Sequence, residues 1–207
     1  MTASARRPRW PGADLPGRRV FIAIPIPDAA ASQIAGLVER IRAEGVPGGG
    51  RDVRWVRLDG LHLTLRFLGP TLEERLGPAA DAVRTAAAAA RPFDISIGGA
   101  GTFPPAGRPR ALWLGLREGE TELAALAGLV DDTLGHSGWQ LDPRPFRPHL
   151  TLARSDGVPA GSAIGERLVS AAADLDIRFR AESIGLFESL TGGGPARYVP
   201  LETARLA

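Results

Sequence analysis

The chain spells His-Leu-Thr-Leu twice, at 62–65 and again at 149–152, and the two copies use two of its three histidines. Each copy reads as a strand. Side chains on a strand alternate between faces, so His62 and Thr64 point one way while Leu63 and Leu65 point the other. The same parity sets His149 and Thr151 against Leu150 and Leu152. The leucine faces must be buried, which leaves two imidazole–hydroxyl faces to be placed. Each copy is followed by a helical pattern and preceded by a strand–helix pair at similar distance. The chain is therefore constrained to a two-lobed duplication in which each lobe carries a sheet and helices.

The remaining punctuation fits an α+β or α/β order. An apolar strand spans 20–25, and a helix follows over 29–44, with Asp28 placed to cap it and Ile34, Leu37 and Ile41 on one face. Short strands are expected at 53–57 and 61–67. Thr71 is placed to cap a helix over 72–90, which Arg91-Pro92 terminates. A strand at 93–97, a Gly/Pro-rich loop at 98–110, a strand at 111–116 and a helix at 120–134 ended by Gly135 follow. His136 then has a helix-end or solvent role. A further helix at 163–173 and closing strands at 178–189 and 197–201 complete the reading. Residues 1–17 are Arg- and Pro-rich and read as a flexible leader before one bilobal domain over 18–207. The apolar run after them is too short and too proline-broken for a signal peptide or a membrane span.

Composition narrows the chemistry. There is no cysteine, hence no thiolate nucleophile and no disulfide framework, which fits a reducing cytoplasm. All 25 basic residues are arginine, which excludes a P-loop lysine, a Schiff-base lysine and a lysyl-adenylate. No carboxylate stands at ligand spacing beside either motif histidine, so the pattern does not call for a metal.

If a pseudo-twofold brings the two polar faces together, two imidazoles and two hydroxyls surround one small volume. A neutral imidazole can take a proton and a protonated one can give a proton near neutral pH. Each such transfer is worth about 10²–10⁴ in rate. The hydroxyls of Thr64 and Thr151 can donate to non-bridging oxygens of a phosphodiester. One copy alone would be an ordinary strand. Two copies in matched settings point to a site, and symmetry leaves open which histidine is acid and which is base.

Further blocks carry a resemblance. HLTLRFLG from His62, RALWLGL from Arg110, RPFRPHLTLAR from Arg144, LFES from Leu186 and ARYVPL from Ala196 occur in that order, after the opening RRVFIAIPIP. They resemble the bacterial and archaeal RNA 2′,3′-cyclic phosphodiesterases, also called 2′-5′ RNA ligases, of the two-histidine phosphoesterase superfamily. The resemblance runs from about residue 18 to 201. It implies an α+β fold of two pseudo-symmetric lobes, each an antiparallel sheet with helices on its outer face and the site in the cleft between. It implies metal-independent, cofactor-free hydrolysis of RNA 2′,3′-cyclic phosphate ends to 2′-phosphomonoesters, with reversible 2′-5′ ligation at the same site. The implied partner is RNA, with tRNA fragments one candidate class, and a monomer away from membranes is expected. The family's proton donor falls on His62 and its base on His149. Its phosphate arginine falls on Arg154, five residues after the second histidine, and the matching position in the first copy is Phe67, suited to stack on a terminal base. Parity puts Arg66 on the face of His62 and Thr64, and Arg147 beside His149. It puts Phe67 and Arg154 on the leucine side, so a bulge or strand end must turn both inward. Two alternatives stand beside this reading: the same site acting on another cyclic phosphate or a 2′-5′ oligonucleotide, and a non-catalytic module that binds RNA ends.

Overall fold

The computed structural model describes residues 16–45, 53–141, 143–192 and 195–207. The expected leader lies outside the described residues as far as residue 15, and so does the glycine-rich stretch 46–52. In chain order the elements are β1 (Arg18–Pro25), α1 (Asp28–Ala43), β2 (Arg54–Trp55), a 3₁₀ turn (Leu58–Gly60), β3 (His62–Thr71), α2 (Glu73–Ala88) and β4 (Phe93–Phe103). Then come β5 (Ala111–Glu118), α3 (Glu120–His136), β6 (Leu150–Arg154), α4 (Pro159–Ala171), β7 (Ile177–Ala181), β8 (Ser183–Leu190) and β9 (Arg197–Arg205).

These strands form two antiparallel sheets, ordered β3-β1-β8-β9 and β2-β6-β5-β4-β7. Helices α2 and α3 pack on the first sheet, and α1 and α4 on the second. The fold is thus α+β with two sheets and their helices. The lobes are not the two halves of the chain, however. The first sheet draws β1 and β3 from the N-terminal half and β8 and β9 from the C-terminus. Helix α1 crosses from the first sheet to the second and α3 crosses back. The expected closing strand at 178–189 splits at Glu182, and its two parts join different sheets. The apolar core runs through both lobes, from Ile22 and Leu63 to Leu114 and Leu150, each 0% exposed.

Several boundaries differ from the sequence reading for local reasons. Asp28 does not cap α1. Pro27 holds the boundary position, and the Asp28 carboxylate sits in the first turn, where the helix dipole favours it. Thr71 does not cap α2 either: it is the last residue of β3, and its hydroxyl donates to the Gly69 carbonyl at 3.2 Å. Helix α3 runs through Gly135 and stops at a left-handed Gly138 (φ 73°). Two amide bonds close it, Trp139 to Leu134 and Gly138 to Gly135, the pairing that a glycine just past a helix end allows. Helix α4 begins at Pro159, whose fixed φ suits a first helical position. The glycines of 98–101 are strand residues rather than loop. Pairing between β4 and β5 is irregular from Ile97 to Ala100, and a side chain at Gly101 would collide with the Trp113 indole.

Candidate active site

The two motif strands approach each other where the lobes meet: β3 is an edge of its sheet and contacts β6 of the other. Leu63 and Leu150 pack inward at 0% exposure, while Thr64 and Thr151 line a shared cleft of about 370 Å³. His62 also lines the cleft. His149 is not among its lining residues; it stands immediately before β6, next but one to Thr151.

Both imidazoles are held in the same way. The Nδ1 of His62 lies 2.7 Å from the Gly60 carbonyl oxygen, and the Nδ1 of His149 lies 2.7 Å from that of Arg147. A carbonyl can only accept, so Nδ1 carries the proton and donates it. In the neutral ring Nε2 is then the free acceptor. Burial pushes His62 below the ordinary histidine pKa, opposed by the Gly60 hydrogen bond. Burial also lowers His149; its carbonyl hydrogen bond opposes this, and the nearby Arg154 charge adds to the lowering.

After the shared motif the strands use one device. Between β1 and β3, Ala23 pairs with Thr64 and Ile22 with Arg66, so Leu65 is an extra, bulged residue. Between β5 and β6, Trp113 pairs with Thr151 and Leu112 with Ala153, so Leu152 is the bulge. The fourth residue of each copy is inserted, and parity inverts beyond it. Phe67 therefore turns into the cleft, where it is 55% exposed, and Arg154 turns in from the opposite strand.

The same inversion corrects the placement expected for Arg66. It does not share the face of His62 and Thr64. Its guanidinium pairs with both carboxylate oxygens of Asp131 on α3, with Nε to Oδ1 at 2.6 Å, on the helix side of the sheet. Arg147 is exposed and absent from the cleft lining; the group it brings to the site is its backbone carbonyl. His136 lies in the last turn of α3, its Nδ1 2.6 Å from the Asp132 carbonyl oxygen, clear of the cleft. Among the described residues no three histidine or carboxylate side chains cluster as a metal site would require.

A family model for the 2′-5′ RNA ligase superfamily matches residues 26–193. The chain belongs to that superfamily. One relative in it, the RNA 2′,3′-cyclic phosphodiesterase of Archaeoglobus fulgidus, is 32% identical over 82% of this chain and 85% of its own. The protein of the same name from Methanocaldococcus jannaschii is 28% identical over 86% and 95%. Among solved structures, E. coli LigT complexed with 3′-AMP matches with a TM-score of 0.70 at 27% identity, over 91% of this chain and 98% of that one.

The cleft of this chain holds side chains that the motif reading did not assign. Phe21, Arg19, Ser189, Thr191 and Tyr198 all line it. Phe21 and Tyr198 contact the His62 ring, with centroids at 4.6 and 4.8 Å, and Phe103 and Trp113 contact that of His149, at 5.1 and 6.2 Å. The strand pattern contains no signal for these contacts, because they come from β1, β4, β5 and β9, elements that pairing alone brings to the motif strands. One cue existed: Tyr198 is the single tyrosine of the chain. Among the described residues no helix is long and apolar enough to cross a membrane.

Proposed function

We propose that the protein is an RNA 2′,3′-cyclic phosphodiesterase that works by acid–base transfer between two histidines. The observation that carries this reading is the repeated geometry: two imidazoles, each held through Nδ1 by the carbonyl two residues earlier, each followed by a cleft-lining threonine. Water attacks phosphorus while neutral His149 takes its proton at Nε2. Protonated His62 gives its Nε2 proton to the departing 3′ oxygen. The 2′ ester bond stays, and a 2′-phosphomonoester results. Thr64 and Thr151 donate to the non-bridging oxygens, where charge builds in the transition state. Arg154 adds a guanidinium on the phosphate side, and Phe67 offers its exposed ring to the terminal base. With a 5′-hydroxyl in place of water, the same two transfers join RNA ends through a 2′-5′ bond, and the reverse reaction, attack of the 3′-hydroxyl on that bond, exchanges the histidine roles.

None of these steps needs a metal, so hydrolysis should survive excess chelator. The direct test is turnover of a nucleoside 2′,3′-cyclic phosphate with product analysis. A 2′-phosphate product that disappears in His62→Ala and in His149→Ala supports the reading. A 3′-phosphate product, or a folded double variant at the wild-type rate, overturns it.

A further inference from the structure

The two histidines share a hydrogen-bonding pattern but not a packing environment. His62 is enclosed by the Phe21 ring and by the ring of Tyr198, which meets it nearly edge-on at 83°. Tyr198 comes from β9, at the far edge of the first sheet from β3, and its ring also meets Phe21 at 5.1 Å. It lies against Gly60 as well: a Cβ at that glycine would stand 2.8 Å from the Tyr198 Cδ2, closer than real contacts allow. Gly60 is the residue whose carbonyl receives the His62 Nδ1 proton. One aromatic ring therefore packs on both ends of the hydrogen bond that fixes the tautomer of His62. Around His149 the arrangement differs: Phe103 and Trp113 contact its ring, and the residue that accepts its Nδ1 proton, Arg147, is exposed.

We propose that Tyr198 is the positioning residue of His62, holding the imidazole against the Gly60 carbonyl so that Nε2 alone faces the cleft. The proposal rests on the reading of His62 as proton donor for its kinetic consequence, but not for its structural one. Without the ring, the imidazole can rotate about its side-chain torsions and exchange tautomers, and water can reach it. The function assigned to Tyr198 resides in the ring, not in the hydroxyl. Burial raises the Tyr198 pKa, with the Arg154 charge opposing, so the phenol stays neutral around His62 near neutral pH. Gly60 is part of the same device, because any side chain there displaces the ring.

Three variants separate this from a general structural role. Tyr198→Phe keeps the ring and should keep kcat within about twofold. Tyr198→Leu removes the aromatic ring and should lower kcat by roughly 10- to 100-fold, as misplacing a reacting group does. KM should change little, and the His62-dependent limb of the pH profile should move to higher pH as the ring hydrates. Gly60→Ala should reproduce the leucine variant from the other side of the contact. Nitrogen NMR of labelled imidazoles supplies a readout that needs no substrate. The wild type and Tyr198→Phe should show His62 as a single Nδ1–H tautomer, and Tyr198→Leu and Gly60→Ala should show exchange between tautomers. A single unperturbed tautomer in Tyr198→Leu, or a loss confined to KM, overturns the proposal. Should the protein not hydrolyse cyclic phosphates at all, the NMR result still decides the point about Tyr198. If Tyr198→Leu does not fold, the Gly60→Ala spectrum decides it alone.

Discussion

The strands β3 and β6 carry the same four-residue motif, whose second copy starts one residue before β6; both bulge at its fourth residue and then diverge. In β3 the bulge at Leu65 sends Arg66 to the helices and Phe67 to the cleft; in β6 the bulge at Leu152 sends Ala153 to the core and Arg154 to the cleft. Symmetry is thus kept in the part that would move protons and dropped in the part that would hold the substrate. A cyclic phosphate end is itself asymmetric, with a base on one side and a solvated phosphate on the other. A symmetric acid–base pair can serve it only if the neighbouring residues tell the two sides apart.

The symmetric part of the comparison is the easiest to break, and it should show the largest effect. His62→Ala and His149→Ala should each lower kcat by about 10²–10⁴, and the double variant should lose little more than either single one, because the two transfers belong to one concerted displacement. Circular dichroism should show the fold retained. Strictly additive losses would mean that the two histidines act independently.

The asymmetric part is broken by exchange. A double variant, Phe67→Arg with Arg154→Phe, moves the charge to β3 and the ring to β6. Loss of one stacked base and one phosphate contact should raise KM for a dinucleotide ending in a cyclic phosphate by roughly 10- to 100-fold. The rate for a minimal substrate without a base should fall less. Unchanged affinity would show that the two residues after the bulges do not orient the substrate.

The residues turned away from the cleft carry a smaller effect, and on stability rather than rate. Arg66 and Asp131 are mostly buried, with side chains 11% and 24% exposed. Asp131→Ala leaves a guanidinium without its bidentate partner and should destabilise the fold by about 1–2 kcal/mol, read as a lower urea midpoint. The kcat should not change. Ala153, at the matching place in β6, has no charge to satisfy, so the penalty belongs to one lobe.

How much of this was legible beforehand follows from the same two strands. Alternation alone placed Leu63, Leu150, His62 and both threonines on their faces, because those positions precede the bulge, whereas His149 stands just before β6 and outside the cleft lining. Parity then required some irregularity before Phe67 and Arg154 could turn inward, but it could not locate one. A bulge is a property of pairing with β1 and β5, and no residue of the motif announces it. The error on Arg66 has that origin: it was counted along an unbroken strand. Which strand joins which sheet was not legible, for a related reason. Helical and strand periodicity identify elements, whereas the exchange of α1 and α3 between lobes, and the return of β8 and β9 beside β1, are decided by long-range packing. The contact of Tyr198 with His62 was out of reach on both grounds, since the two meet only after the chain has closed its first sheet.

The smallest predicted effect isolates one charge. Burial holds both histidines below the ordinary value of about 6.5, so the productive state, one ring protonated and one neutral, should be most populated on the acid side of that value, and kcat/KM for the free enzyme should peak there. Above both pKa values the donor lacks its proton; below both the base is already protonated. The two limbs should respond differently to Arg154→Ala. Arg154 disfavours the imidazolium of His149, and no comparable cation lowers His62. Removing it should raise the His149 pKa and leave that of His62 in place. If His149 has the lower pKa of the pair, the limb on which activity grows with pH moves to higher pH. If it has the higher pKa, the falling limb moves instead. The pH profile of this one variant therefore shows which limb belongs to His149, and a profile that moves on neither limb would mean that the Arg154 charge does not act on the reacting pair.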